Sequence, residues 1–84
     1  MKRDDIVDMY GEELLFMEPH YFDKAIIGVV TQFNNVVVCY DKNKVLALLV
    51  NKEGLTEDEA IEYFEYNIIG AWMGEMTPAF LEKV

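Results

Sequence analysis

The chain has 84 residues and carries 16 acidic against 7 basic side chains, so its formal net charge is -9. This length allows one domain, because a single core usually takes roughly 50 to 200 residues. A hydrophobic fraction of 52% excludes a disordered chain, which combines low hydrophobicity with high charge. The acidity excludes direct nucleic-acid binding, since phosphates need a basic surface. The sequence therefore predicts one small acidic domain over residues 1–84.

The single cysteine and the lack of long apolar runs are typical of a cytoplasmic protein. Cys39 has no second cysteine for an internal disulfide, which favours a reducing environment. The longest apolar run, Val45 to Val50, is far shorter than the roughly 20 residues that span a bilayer. No secretory signal follows the N-terminal residues. We therefore expect a cytoplasmic protein without a membrane partner.

The first predicted element is a helix over residues 4–16. Acidic side chains occupy one side of it, and apolar ones recur at helical spacing on the other: Ile6, Met9, Tyr10, Leu14 and Met17. Gly11 weakens this helix by about 1 kcal/mol relative to alanine. Pro19 is expected to end it, because the residue before a proline is pushed away from helical angles.

A β-hairpin is predicted next, with strands at residues 25–33 and 36–40 and a tight turn at Asn34-Asn35. Strict alternation divides the first strand into two apolar faces, one with Ile27, Val29 and Phe33 and the other with Ile26 and Val30. Such a sheet cannot leave a face in water cheaply. We therefore expect the helices to wrap the sheet, or a second copy of the chain to cover one face.

Two more helices follow the hairpin. Asp41 is a suitable N-cap for a helix over residues 42–52. Thr56 and Glu59 form a capping box for a third helix that runs to about Ile69.

The C-terminal part combines a loop and a short strand. Residues 70–78 contain two glycines and a proline and predict a structured loop, and residues 79–83 predict an edge strand. The complete prediction is a two-layer α+β fold with an N-terminal helix, a hairpin, two helices and this terminal strand. An all-helical bundle is the alternative, and it fails if residues 25–40 are extended.

The residues that common chemistries need are missing. The sequence has no serine, and the lone His20 and Cys39 stand in unrelated contexts, so nucleophilic catalysis has no support. No metal-ligand spacing or phosphate-binding glycine pattern is present. We predict no enzyme activity, catalytic residue, metal or cofactor. A carboxylate-dependent enzyme that uses Glu62 and Glu75 is the alternative that stays open.

Acidic side chains concentrate in the two flanks of the chain. Residues 25–55 carry two acids and three bases, whereas residues 1–24 and 56–84 carry seven acids each. The pattern predicts acidic stripes on the first and third helices: Asp4, Asp8 and Glu12, and Asp58, Glu62 and Glu65. Two interpretations stay open. The stripes are solvated helix faces, or they bind a basic partner by imitating the phosphates of nucleic acid.

The loop from Gly70 to Pro78 is the least generic segment. Its tryptophan and two methionines either pack under the core or form an interaction surface, where these residue types are over-represented. Together with the third-helix acids, the candidate interaction residues are Asp58, Glu62, Glu65, Trp72 and Glu75.

A pattern of the form Asn-x-x-Gly-Ala-aromatic-x-Gly-Glu-x-Thr-Pro-x-Phe runs from residue 67 to residue 80. With it, and with weaker segments at residues 22–29, 40–45 and 59–72, the chain resembles a small uncharacterised family of phage- and prophage-encoded proteins. The resemblance covers roughly residues 14–81. It implies a phage or prophage origin, and no activity, cofactor or substrate. The matching positions suggest a special backbone turn: Asn67, Gly70, Gly74, Thr77 and Pro78.

These observations predict an accessory protein of phage origin in the host cytoplasm. It would bind a host or phage protein through an acidic face, and inhibition of host nucleic-acid-handling or defence machinery is one form this takes. The alternative is a homodimeric structural module in which the two-faced hairpin closes the dimer.

Overall fold

The structure, a computed structural model, describes residues 3–71 and 73–84 as a small α+β fold. The elements in chain order are α1 (Arg3–Tyr10), a 3₁₀ helix (His20–Ala25), β1 (Ile26–Gln32), β2 (Asn35–Asp41), α2 (Lys42–Glu53), α3 (Glu57–Tyr63), a π-helix (Phe64–Ile68) and β3 (Ala79–Leu81). The predicted fold is confirmed, and the all-helical alternative is wrong, because the hairpin is extended. None of the helices in the described part of the chain has the length and hydropathy needed to cross a membrane.

The three strands form one sheet with β2 in the centre. β1 pairs with β2 in antiparallel orientation, and β3 pairs with the other side of β2 in parallel. The predicted C-terminal edge strand is therefore confirmed, although it spans residues 79–81 and not 79–83. Because β3 comes last in the chain, the two helices between β2 and β3 form the crossover that a parallel pair requires.

A β-bulge in β1 changes which side chains face the core. Ile26 pairs with Tyr40, but the next pair is Gly28 with Cys39, so Ile27 is an extra residue. After the bulge Val29 pairs with Val38, a fully buried core residue. The predicted strict alternation is thus wrong at this point, since Val29 shares a face with Ile26 and not with Ile27. Gly28 has a φ of 154°, a value that residues with a side chain rarely adopt.

The hairpin turn lies one residue earlier than predicted. Gln32 pairs directly with Asn35, so the two turn residues are Phe33 and Asn34. Phe33 takes a φ of 56°, which is uncommon for a residue other than glycine, asparagine or aspartate. Its side chain is 93% exposed. The turn therefore places a large apolar ring in solvent on a strained backbone.

The first helix is shorter than predicted and ends at Tyr10. Gly11 terminates it with a φ of 98°, and its N–H donates to the carbonyl of Val7 at 2.8 Å. The predicted helix over residues 4–16 is wrong because glycine reaches this left-handed conformation without steric cost, before Pro19 is met. Ile6 is still fully buried, and Leu14 reaches the core from the connecting loop.

The caps of the two later helices match the prediction. The Asp41 carboxylate accepts hydrogen bonds from the backbone N–H groups of Asn43 and Lys44 at 2.9 and 3.3 Å. Thr56 and Glu59 form both hydrogen bonds of a capping box. The third helix departs from its predicted course, because the α-helical part ends at residue 63 and a π-helical turn continues to residue 68.

Tyr40 occupies the centre of the core. Its ring stacks on Phe80 of β3 with centroids 5.8 Å apart, and Phe80 meets Phe64 edge-on at 5.0 Å. The Tyr40 hydroxyl accepts a hydrogen bond from the Met17 backbone N–H at 2.8 Å. The buried residues around it come from α1, the loops, the sheet and both later helices: Ile6, Leu14, Phe22, Ala25, Ile26, Val38, Val45, Leu49, Ala60 and Phe64.

Arg3 connects α1 to residues 17–23, the segment before the sheet, through hydrogen bonds and ion pairs. Its guanidinium donates to both carboxylate oxygens of Asp23 and to Glu18, with the closest contacts at 2.9 and 3.0 Å. It also donates to the Met17 carbonyl and lies 4.6 Å from the centroid of the Phe16 ring. Burial opposes the charged form, but the hydrogen bonds to the two carboxylates prevail and raise the pKa of Arg3. Donating to both oxygens of one carboxylate requires a planar group with several N–H donors, which lysine lacks.

Removal of the Tyr40 hydroxyl tests how much its hydrogen bond stabilises the fold. Tyr40→Phe leaves the partly buried Met17 N–H without its acceptor, so we expect the free energy of unfolding to fall by about 1–3 kcal/mol. Urea denaturation followed by circular dichroism measures it. Tyr21→Phe is the matched control, because Tyr21 donates to Glu53 at the surface. Equal decreases in the free energy of unfolding of the two variants would show that the Tyr40 hydrogen bond stabilises the fold no more than a surface one.

Tyr40→Phe should also change how the free energy of unfolding depends on pH in alkaline solution. Burial raises the pKa of Tyr40 to about 12, although the hydrogen bond from Met17 acts in the opposite direction. A tyrosine in the unfolded chain ionises near pH 10, so between about pH 10 and 12 the unfolded state loses the proton first. The free energy of unfolding therefore falls as the pH rises through this window. Tyr40→Phe should make that decline shallower.

Candidate interaction surfaces

The side of the sheet that faces away from the helices is apolar. We call its apolar part the open face, and none of its side chains belongs to the core cluster: Ile27, Val30, Val37, Cys39, Ala79 and Leu81. Cys39 is only 7% exposed, and the register also places Gln32 and Asn35 at the turn end of this side and Asp41 beside Leu81. Ile27, Val30 and Leu81 are 41, 38 and 44% exposed. The solvent side of an antiparallel pair normally carries polar residues. The open face is thus an apolar surface without a covering element among the described residues.

The open face is also free of charge. Residues 26–40 and 79–81 contain no charged side chain, although charged residues make up 27% of the chain. The nearest acid in the sheet is Asp41, which is 5% exposed and whose carboxylate caps α2. The open face therefore carries no exposed charge, and the one carboxylate at its end, that of Asp41, is buried.

A row of small residues crosses the open face. Gly28, Cys39 and Ala79 are paired across the three strands, one from each strand. The next row along the strands consists of Val30 and Val37, which are also a pair. Because side chains on one face recur every second residue, the two valines lie one row away from these small residues, and the bulge places Ile27 next to Gly28. Burial raises the pKa of the Cys39 thiol, and so does the nearby charge of Asp41, which keeps the thiol protonated at neutral pH.

The structure exposes the predicted acidic residues of the third helix. Asp58 and Glu62 lie on α3 and Glu65 lies on the π-helix, where the wider turn alters the angular spacing of the stripe. The ion pairs found within residues 3–71 and 73–84 use other acids, namely Glu18, Asp23 and Glu82. α3 packs mainly against α2, and α1 is not among its close neighbours. Within the described residues, therefore, no ion pair involves the third-helix acids, although α2 carries three lysines.

The two remaining candidate interaction residues belong to the loop after the π-helix. Glu75 is exposed in a turn at residues 74–76. Trp72 lies outside the described residues.

The two carboxylates considered for catalysis do not line the same cavity among those described. Glu62 borders a shallow depression of about 440 Å³ that Glu59, Tyr63 and Tyr66 also line. Glu75 does not line this depression. Within the described part of the chain, no three histidine, cysteine, aspartate or glutamate side chains are arranged to hold a metal ion.

Three of the five residues of the predicted backbone turn line one mostly apolar cleft, and Gly70 and Gly74 do not. The cleft has a volume of about 320 Å³ and lies between the segment before the 3₁₀ helix and the loop before β3. Asn67, Thr77 and Pro78 line it, and Pro78 is buried. Sequence reasoning missed the other wall, which is built by Phe16, Met17 and Pro19. The missed signal was the apolar pair ahead of Pro19, which the prediction had assigned to the end of the first helix.

The loop geometry depends on one hydroxyl and two glycines. The Thr77 hydroxyl accepts from the Met73 N–H at 2.8 Å and donates to the Gly74 carbonyl at 2.6 Å. Gly74 has a φ of 101°. A side chain at Gly70 would come within 3.3 Å of the Glu65 carbonyl oxygen. These three positions therefore hold the chain in the reversal that leads into β3.

Comparisons of the chain with protein-family models, with curated proteins and with solved structures give no match. Its function is therefore inferred from its own surfaces.

The role of the Thr77 hydroxyl is testable with two substitutions. Thr77→Val removes both hydrogen bonds, so we expect a loss of about 1–2 kcal/mol of stability and faster hydrogen exchange at the Met73 amide. Thr77→Ser keeps the hydroxyl and should retain most of the protection. Amide exchange followed by NMR distinguishes the two. Unchanged exchange at Met73 in Thr77→Val would show that the loop does not depend on this hydroxyl.

Proposed function

We propose that this chain is a protein-interaction module that binds its partner through the open face. The observation that carries the proposal is a mostly apolar sheet face without an exposed charge, on a chain of net charge -9. Exposed apolar surface of this kind is typical of interaction sites, because leaving it in water is unfavourable. Depletion of charge is also the feature that separates the centre of an interface from the rest of a surface.

Burial of the open face supplies the driving force for binding. Full burial of a valine, leucine or isoleucine side chain contributes about 1.5–3 kcal/mol. Ile27, Val30 and Leu81 are already more than half covered, so each adds a fraction of that amount. Phe33 adds a large exposed ring at the end of the hairpin. Aromatic side chains frequently anchor interfaces, and the strained turn at Phe33 is consistent with selection for binding over stability.

The biological setting that we propose is that of a small accessory protein of phage origin. It would act in the host cytoplasm on a host or phage protein. The support for this setting is the pattern at residues 67–80, together with the small size of the chain.

A charge placed on the open face tests the proposal. Val30→Lys puts a cation in the centre of the surface, whereas Thr31→Lys puts the same charge on the neighbouring exposed residue, which points to the other side of the pleat. The wild-type chain and both variants serve as baits for chemical cross-linking in host lysate. We expect the wild type and Thr31→Lys to capture the same protein and Val30→Lys to lose it, because binding would bury an unpaired charge.

Circular dichroism must show that all three baits are folded. Capture that is equal in Val30→Lys and the wild type would overturn the open face as the binding surface.

A second function is favoured by the exposed acids of the third helix. Asp58, Glu62 and Glu65 have no cationic partner among the described residues, so their field extends into solvent. We propose as the alternative that this stripe binds a basic protein surface by imitating nucleic-acid phosphates, which would inhibit nucleic-acid-handling or defence machinery.

Ionic strength separates the two functions. Binding through the stripe should weaken strongly between about 50 and 500 mM salt, whereas binding through the open face should not. The triple variant Asp58→Asn, Glu62→Gln, Glu65→Gln should then lose the captured protein while Val30→Lys keeps it. Capture that resists salt and survives the triple variant would contradict the electrostatic function.

A further inference from the structure

We infer that the groove between α2 and α3 binds an amphipathic helix of a partner protein, with the apolar side of that helix in the groove and its basic side chains against the acids of α3. The inference rests on the second proposed function and specifies the chemistry of its partner. We call this surface the α2–α3 groove. It is separate from the open face, because all of its lining residues belong to the two helices and none belongs to the sheet.

The middle of the α2–α3 groove is apolar. Two rows of side chains, one from each helix, form this part: Leu46, Ala47 and Val50, and Ala60 and Ile61. Ala60 is buried and Ile61 is 44% exposed. Leu46 and Val50 are half-buried. The two helices thus cover one another only in part and leave apolar side chains in contact with solvent.

The length of the groove fits about two turns of a helix. Asn43 and Asn51 line it at the two ends of the α2 row. At a rise of about 1.5 Å per residue, these residues are roughly 12 Å apart along α2, a little more than two turns. The groove has a volume of about 420 Å³. Two turns of a partner helix place about two or three apolar side chains on one side, at the spacing i, i+4, i+7.

The walls of the groove favour a helix over an extended segment. The N–H and C=O groups in the middle of α2 and α3 are bonded within their own helices, so they offer no partner to another backbone. An extended segment would leave its own backbone groups unpaired against the apolar walls, which costs free energy. A helix satisfies those groups internally and presents only side chains.

The acids of α3 determine the charge of the partner. Glu57 lines the groove. Asp58 lies three residues before Ile61 and Glu65 lies four residues after it, and residues at these spacings are neighbours on a helix. None of these three acids belongs to an ion pair in the described part of the chain. A partner with lysine or arginine beside its apolar side chains is therefore complementary to this edge.

The α2 edge of the groove has a different charge. Among the described residues, no lysine, arginine or histidine lines the groove itself. Lys44 lies three residues before Ala47 and seven before Asn51, which places it along the outer edge of α2. Because the two edges differ in charge, a partner helix with basic side chains on one edge only fits the groove in one direction.

An NMR titration of the isotopically labelled chain tests the inference with a synthetic, alanine-based peptide of about 15 residues, a length that supports a helix. The peptide carries leucines in one stripe, lysines along one edge and glutamines along the other. We expect the amide signals of the groove residues to shift, with a Kd below about 1 mM at about 50 mM salt. The absence of shifts at a peptide concentration of about 2 mM would overturn the inference.

Two control peptides separate fit from charge. A peptide of the same composition with scrambled leucines should bind at least tenfold more weakly, and a peptide with glutamate in place of lysine should bind more weakly still. Equal binding of the scrambled peptide would overturn the helix as occupant.

Ile61→Gln and Ile69→Gln form a matched pair of variants. The two isoleucines are 44 and 56% exposed, and Ile69 does not line the groove. Neither substitution changes the charge of the chain. We expect Ile61→Gln to raise the Kd of the lysine peptide about fivefold and Ile69→Gln to leave it unchanged, with circular dichroism showing that both are folded. Equal Kd values in the two variants would overturn the groove as the binding site.

A second pair of variants tests the acidic edge. Glu57→Gln with Asp58→Asn should raise the Kd at least threefold at about 50 mM salt and have little effect at about 500 mM. Asp4→Asn with Asp5→Asn removes the same charge from α1 and should have a smaller effect. Equal effects of the two double variants would contradict a contact between the peptide and the acids of α3.

The outcomes also distinguish the groove from the proposed functions. Peptide binding that survives Ile61→Gln but is lost in the triple variant of Asp58, Glu62 and Glu65 overturns the groove and supports the electrostatic function alone. Val30→Lys should leave peptide binding unchanged, because the open face shares no residue with the groove. Loss of peptide binding in Val30→Lys would place the peptide on the open face and overturn the inference.

Discussion

The position of Tyr40 in the central strand is the constraint on which the rest of the structure depends. Its ring lies against Phe80, so the last strand is held by an aromatic contact as well as by its short ladder. Its hydroxyl accepts the Met17 N–H, which ties the loop before the sheet to the same point. One residue therefore organises segments that are far apart in the sequence. Arg3 completes this arrangement from outside by joining α1 to the same loop.

The described helices pack on the side of the sheet that contains Tyr40, and none of them covers the other side. All described helices contribute core residues on the Tyr40 side, through Ile6, Val45, Leu49 and Ala60 among others. Residues 3–71 and 73–84 place no helix on the opposite side of the sheet. The open face is thus the side of the sheet that the described core leaves uncovered, and association with a partner is a simple way to give it a second layer.

Much of the fold could be predicted because its signals are local. The caps at Asp41 and Thr56 depend on hydrogen bonds within three residues, and the β-branched runs of the hairpin need no distant partner. The failures have local causes that the pattern does not reveal. Gly11 ended a helix whose apolar periodicity continued, and the π-helical turn after Tyr63 leaves no mark in the residue types.

The surfaces were harder to predict than the elements. The apolar strands did indicate a two-faced sheet, but the bulge decided which residues belong to each face. Without the pairing of Gly28 with Cys39, alternation assigns Val29 and Val30 to the wrong sides. The cleft beside Thr77 unites two segments separated by more than half the length of the chain, and such proximity follows from packing around Tyr40 and not from spacing in the sequence.

The bulge at Ile27 and Gly28 also determines where the first strand can lose a residue. Because Ile27 is the extra residue, loss of its codon would place Ile26 directly before Gly28 and keep their pairs with Tyr40 and Cys39. Loss of a codon between Val29 and Gln32 would instead shift the register, and a shift of one position reverses all side chains of a strand. Val29, which packs against the core, would then turn to the outer side. Beyond the bulge, therefore, the length of the first strand is fixed and only its outer side chains are free to vary.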